Sequence, residues 1–222
     1  MVYPLEQKLW TEGNGVDGLF IALAIIIAYL LGSIPSAYLI GRLRKGTDIR
    51  EMGTRNMGAM NVFYTVGFWW GLLVLILDVG KGAAAVGVAI GLGVGEVVEF
   101  IAGATAVLGH AFPVFLGFRG GKGGATCIGV LCVMMPWGLP IAFGIFCILL
   151  LITRFPTLSY SIALITFPFV GWLINKEWEL VVYSVGILLI PLIRYIPRIK
   201  EMRDKAGNWG RFFRRKGLED RF

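Results

Sequence analysis

The densest group of chemically capable residues is Phe118-Arg119-Gly120-Gly121-Lys122-Gly123-Gly124-Ala125-Thr126, which leads into an apolar helix. Consecutive glycines let backbone N–H groups approach a phosphate, and a helix start adds the positive end of its dipole. Arg119 and Lys122 would supply countercharge, so the chemistry on offer is recognition of a phosphorylated compound. A Walker A loop is excluded, because Leu116 stands where that pattern needs its first Gly and no strand precedes it. The same residues also suit a tight turn whose bases mark one membrane face, and the residues alone leave both readings open.

A second polar stretch runs Asp48-Ile49-Arg50-Glu51-Met52-Gly53-Thr54-Arg55-Asn56-Met57-Gly58-Ala59-Met60-Asn61. Its cations, hydroxyl and two Asn suit an anion or a polyol, and equally a solvated connector. Asp78 and Lys81, three apart in an apolar run, share a helix face and can neutralise each other. Either a functional site or a structural pair fits them. His110, the only histidine, is a candidate general base; a hydrogen-bonded structural role fits it too. The His-x4-Asp pair of many acyltransferases is absent, since Phe115 lies five after His110.

The elements that must position these residues follow from composition. Of the 222 residues 57% are apolar, only 16% are charged, and 31 are Gly. So little polar surface requires lipid as solvent, so the expectation is an all-α polytopic membrane protein. Apolar runs place spans at 17–41, 68–92, 97–118, 157–173 and 178–195, with the first broken near its end by Gly32-Ser33-Ile34-Pro35 and Pro113 kinking or shortening the third. Residues 125–152, interrupted by Pro136 and Pro140, read as one broken helix or as a hairpin of two short ones.

Charge placement decides between these. The net charge of +7 is concentrated in the tail from Arg194 onward and in residues 42–55. Basic clusters beside apolar spans mark a cytoplasmic face and argue against nucleic acid as a partner. Only the hairpin returns Arg154 and the basic tail to the face that holds loop 42–67. The expectation is therefore about seven transmembrane helices, some short or kinked, N-terminus out and C-terminus in. All 222 residues form one domain on this reading, with a polar segment at 1–16 and a basic tail at 196–222. Cys127, Cys132 and Cys147 lie in apolar segments without metal-binding spacing and read as small buried hydrophobes.

Taken together, these loops resemble the acyl-phosphate:glycerol-3-phosphate acyltransferases of bacteria, the PlsY family. The most specific stretch is Gly109-His110-Ala111-Phe112-Pro113-Val114-Phe115-Leu116-Gly117-Phe118-Arg119-Gly120-Gly121-Lys122-Gly123. Gly32-Ser33-Ile34-Pro35, Asp48-Ile49-Arg50-Glu51, Gly58-Ala59 with Asn61, and Leu77-Asp78 with Lys81-Gly82 support it. The resemblance implies acyl transfer from acyl phosphate to glycerol 3-phosphate, giving lysophosphatidic acid and phosphate for phospholipid synthesis, without a cofactor or metal. It implies the bacterial inner membrane, with the active-site loops facing the cytoplasm. It assigns a catalytic part to Thr54, Asn56, His110 and Lys122. It places substrate and phosphate contacts at Ser33, Arg50, Arg55, Asn61, Arg119, Gly120, Gly121, Gly123 and Gly124, at Arg154, Thr157 and Ser159, and at Asn208 and Glu219 in the tail.

The chain departs from the family pattern at Thr54-Arg55, Met60, Tyr64 and Lys205, where Ser-Gly, Thr, Arg and His are usual. An Arg lost at Tyr64 removes a bidentate phosphate ligand, for which Arg55 would compensate if its loop folds back. These departures keep a diverged paralogue with another polar acceptor as an alternative. A transporter or binding protein for a phosphorylated metabolite is the other, although the polar loops gather on one face rather than at the midplane. Acyl phosphate is already activated, so positioning and electrostatics would supply most of the rate. A phosphate oxygen of the substrate is the favoured proton acceptor, with His110 second.

Overall fold

The computed structural model describes residues 15–154 and 156–207. Its first crossing is α1 (Gly15–Ser33) and α2 (Ser36–Lys45), parted at Ile34-Pro35. Proline lacks an N–H and disfavours helical backbone in the residue before it, which accounts for the break. A 3₁₀ turn at Ile49–Glu51 and α3 (Ala59–Thr65) build the next loop, followed by α4 (Phe68–Gly91) and α5 (Glu96–Ala111). A short turn at Val114–Leu116 and the glycine loop lead to α6 (Gly124–Met134), α7 (Gly138–Thr153) and α8 (Pro156–Leu164). Then α9 (Thr166–Val170) runs into a π-helical turn at Gly171–Asn175, and α10 (Trp178–Ala206) closes the bundle.

Five segments are long and apolar enough to cross a membrane: Gly18–Lys45, Phe68–Gly91, Glu96–Leu116, Pro156–Asn175 and Trp178–Glu201. α6 and α7 are shorter apolar helices; at 1.5 Å per residue α6 reaches only about 16 Å, roughly half of a hydrocarbon core. Large side chains such as Leu151, Ile152 and Trp69 face outward from the bundle, as they do where lipid is the solvent. The chain is an all-helical, multi-pass membrane protein.

The segment expected as a hairpin is one. The chain breaks at Met135-Pro136-Trp137, and both outer ends return to α8: Gly124 packs on the Tyr160 ring, and the Thr153 hydroxyl lies 3.0 Å from that of Ser159. Of the two outcomes expected at Pro113, the third span shows shortening: α5 stops at Ala111, and Pro113 starts a separate turn rather than kinking a continuing helix.

Small residues let the central helices meet backbone to backbone. Ala24, Ala28, Ala85, Ala89, Ala102 and Ala106 form one buried cluster among α1, α4 and α5. A Cβ on Gly32 would overlap the backbone of Ala106, and one on Gly109 would meet the Tyr29 carbonyl and the Ser33 amide. Lipid tails are as apolar as Leu, so this close van der Waals contact rather than water exclusion holds membrane helices together. A second cluster (Ala37, Ile40, Ile49, Met57, Ala59, Val62, Val74) anchors the 46–58 loop onto α2, α3 and α4. The third, centred on Leu131, Met135 and Phe167, packs α6 and α7 against α9 and α10.

Candidate functional site

The glycine loop, the 46–58 loop and the far part of α10 converge at one end of the bundle. Arg50 bridges the two loops, its Nη1 donating to the Arg119 carbonyl at 3.0 Å. The same guanidinium pairs with Asp48 at 2.6 Å, and Asp48 also caps the 3₁₀ turn by accepting the Arg50 N–H at 2.9 Å. The Arg50 guanidinium holds the Asp48 carboxyl below the usual carboxylate range, and Asp48 raises Arg50 in return. Arg50 therefore ties loops together with its charge largely answered by Asp48, which differs from the expected role of a direct phosphate ligand.

Asn61 organises the first loop from beneath. It is fully buried, donates to the carbonyls of Ile49 (2.8 Å) and Met52 (3.1 Å), and accepts the Thr54 N–H at 2.9 Å. With these bonds made to backbone, its amide shapes the loop rather than facing a ligand. Thr54 and Asn56 are half-buried on that loop, and Arg55 is exposed, in left-handed backbone at φ 56.

The glycine loop differs from expectation in an informative way. The N–H groups of Gly120 and Gly121 are not presented outward; they donate to the carbonyls of Ala111 (3.2 Å) and His110 (3.1 Å). Their missing side chains serve packing: a Cβ on Gly120 would strike Pro113 and the His110 carbonyl, and one on Gly121 would strike the His110 ring and the Met57 carbonyl. The donors that remain for an anion belong to the start of α6. Its first bond is from the Cys127 N–H to the Gly123 carbonyl, so the preceding N–H groups of Gly124, Ala125 and Thr126 lack helical partners. Gly123, at φ 90, makes the turn into that helix.

Lys122 is half-buried with its ammonium 3.7 Å from the centroid of the Tyr195 ring. Burial, together with Arg198 and Arg194 nearby, pulls its pKa down to about 7. Arg119 is exposed on the same loop.

His110 lies behind the loop and is buried. Its Nδ1 is 3.7 Å from Asp78, which pairs with Lys81 at 2.9 Å; Lys81 also donates to the Ile34 carbonyl at 2.9 Å. This buried trio joins α4 and α5 to the break between α1 and α2, so the pairing expected of Asp78 and Lys81 is present and has a structural purpose. Ser33, beside that break, is fully buried in the α1–α5 contact. Ser159 is turned toward Thr153, Thr157 is half-buried in α8, and Arg154 is exposed at the end of α7. Asn208 and Glu219 lie outside the described residues. Among the described residues no group of His, Cys, Asp and Glu side chains is arranged to hold a metal ion.

The residue that sequence reasoning missed is Arg194. A charge count groups it with the basic tail, yet it stands inside an apolar run three residues after Pro191. A lone cation in a span was the available signal. It donates to the carbonyls of Ala111, Gly120 and Gly121, so α10 grips the loop directly.

The arrangement can place an anionic group against Lys122 and the start of α6, beside a lipid-facing bundle. The family model described as glycerol-3-phosphate acyltransferase matches residues 22–205. A protein of Dehalococcoides mccartyi (strain ATCC BAA-2266 / KCTC 15142 / 195) named glycerol-3-phosphate acyltransferase 2 is 50% identical over 205 residues, covering 91% of this chain and 98% of its own. The glycerol-3-phosphate acyltransferase of Bacillus subtilis (strain 168) is 37% identical over 188 residues, covering 85% and 96%. The crystal structure of PlsY (YgiH), an integral membrane glycerol 3-phosphate acyltransferase, in its glycerol 3-phosphate form, superposes with a TM-score of 0.76 at 32% identity, covering 84% of this chain and 92% of that one. On these matches, and on the loops and helices just described, the chain belongs to the glycerol-3-phosphate acyltransferase family.

Proposed function

We propose that this chain transfers a fatty acyl group from acyl phosphate to a hydroxyl of glycerol 3-phosphate, releasing lysophosphatidic acid and inorganic phosphate at the cytoplasmic face of a bacterial inner membrane. The observation that carries this reading is the half-buried Lys122 beside the free N–H groups that open α6, at the bundle end where the basic loops meet. Solved relatives at this fold include a glycerol 3-phosphate form and a lysophosphatidic acid form of PlsY, which supports the acceptor and the product.

The reaction brings two phosphate-bearing substrates together, and like charges close together repel by several kcal/mol outside bulk water. Lys122 and the helix start screen that repulsion while the loop holds the acceptor hydroxyl against the acyl carbon. The hydroxyl oxygen forms the new C–O bond, and the bond between the acyl carbon and the phosphate oxygen breaks. The hydroxyl proton leaves with the departing phosphate, whose oxygen is the base. His110 suits that division of labour, because it is buried beneath Gly121 and turned toward Asp78. Thr54 and Asn56 line the acceptor side, with Arg55 and Arg119 as the exposed cations of the two loops.

The direct test supplies purified full-length protein with palmitoyl phosphate or palmitoyl-CoA, together with glycerol 3-phosphate. Lysophosphatidic acid and phosphate from the first donor alone is the expected result. Absence of product from palmitoyl phosphate, while the Bacillus subtilis relative turns over in the same assay, overturns the reading. His110→Gln should keep turnover within about tenfold of wild type, since a lost general base costs roughly 10²–10⁴. A folded His110→Gln protein with no turnover would refute the substrate phosphate as base.

A further inference from the structure

α10 carries Arg194, Tyr195 and Arg198 past the glycine loop, and Arg194 makes a three-point contact with it. Its Nη2 donates to the carbonyls of Gly120 at 3.1 Å and Ala111 at 3.3 Å, and its Nε donates to the carbonyl of Gly121 at 3.3 Å. The guanidinium also lies 4.9 Å from the centroid of the Phe112 ring. A planar fork suits converging acceptors in a way that a point charge does not. All three bonds go to backbone carbonyls, so the positive charge is delivered to the loop itself.

This contact governs what the loop displays. Across a trans peptide the C=O and N–H point in opposite directions. Anchoring the Gly121 carbonyl on Arg194 therefore turns the Lys122 N–H away from that guanidinium, and anchoring the Gly120 carbonyl directs the Gly121 N–H to its bond with His110. Three carbonyls gathered at one point would repel an arriving phosphate, and the guanidinium covers them. The next residue on α10, Tyr195, seats the Lys122 ammonium on its ring. One helix thus holds both the backbone of the loop and the cation it bears.

We propose that Arg194 is a positioning residue for acyl transfer, clamping the carbonyls of Ala111, Gly120 and Gly121 so that the loop presents Lys122 to a substrate phosphate. The proposal rests on the acyl-transfer reading above. Among the described residues, Arg194, Tyr195 and Arg198 of α10 face Lys122, and Arg198 is itself paired with Glu201 at 2.7 Å; on the loop, Arg50 reaches the Arg119 carbonyl and the His110 ring lies against Gly121. Arg194 is one of the cations that lower the proton affinity of Lys122. Its removal must raise that affinity, whereas Arg194→Lys, which keeps the charge, must not.

Two readouts test this in the full-length protein: kcat/KM for glycerol 3-phosphate, and the pH dependence of reductive methylation at Lys122, resolved by peptide mass spectrometry. The wild-type amine should become half-reactive near pH 7. In Arg194→Gln, kcat/KM should fall at least about tenfold as loop geometry is lost, and half-reactivity should move to higher pH. In Arg194→Lys the labelling curve should stay in place, while the lost fork still lowers kcat/KM severalfold. A labelling curve in Arg194→Gln that matches wild type, or a kcat/KM within about twofold of it, overturns the proposal. If Arg194→Gln does not fold, wild-type kcat/KM in Arg194→Lys overturns it equally. A wild-type protein without turnover would instead sink the acyl-transfer reading, and the labelling curves would still decide whether Arg194 acts on Lys122.

Discussion

Asn61, expected to touch substrate, instead spends its amide on the backbone of its own loop. Its place in a Gly- and Asn-rich loop after a span was visible in the sequence. Its burial was not, because burial depends on Ile49, Met57 and Val62 closing over the loop. Three bonds to backbone make it a loop scaffold. Asn61→Ala should therefore destabilise the folded protein by about 1–3 kcal/mol, the usual cost of stranding buried partners, read as a lower melting temperature in detergent. Unchanged melting with lost activity would return Asn61 to the surface of the site. Gly120 and Gly121 teach a related lesson. Their glycine run was legible, but its reason, room for the His110 ring and the Met57 carbonyl, appears only when α5 and the first loop are in place. Arg194 was hidden by its neighbours, since a tail rich in Lys and Arg absorbs one more cation without notice.

Helices were legible wherever a long apolar run ended in Gly, Pro or charge. The break at Ile34-Pro35, the end of α5 before Pro113 and the split at Pro136 all follow from proline chemistry. Packing partners were not legible, because the contacts depend on which small residues face each other across the bundle. Gly109 on α5 meets Tyr29 and Ser33 of α1, one residue before His110. A larger side chain there must push α1 from α5 and drag the buried Asp78–Lys81–His110 trio with it. Gly109→Leu should thus lose both thermal stability and activity. Gly87→Leu, at a site open to the outside of the bundle, should leave both near wild type. Equal behaviour of the two variants, seen by size-exclusion profile and melting in detergent, would contradict the α1–α5 contact.

For the whole molecule, the uneven distribution of charge is the organising fact. Among the described residues, bases gather at 42–55 and along the end of α10, where the site lies, and short connections link the helices at the other end. The expected orientation places Lys176 outside and the end of α10 in the cytoplasm. A cysteine at exposed Lys176 should react with an impermeant maleimide on intact cells, and one at exposed Lys200 only after lysis; the reverse pattern would invert the topology. Burial first, and then the nearby Arg198 and Arg194, bring the Lys122 ammonium to the edge of losing its proton, and the proposed phosphate site inherits that sensitivity to pH. A phosphate site that needs the ammonium weakens as that group loses its proton, so affinity falls as pH rises through about 7. Calorimetric titration of glycerol 3-phosphate into wild type and Lys122→Met near pH 6.5 and near pH 8.5 reads this without turnover. Wild type should bind roughly ten- to thirtyfold more weakly at the higher pH, and Lys122→Met should bind weakly at both. Equal affinity in the two proteins, or no change in wild type across that range, would contradict Lys122 as the cation of the phosphate site.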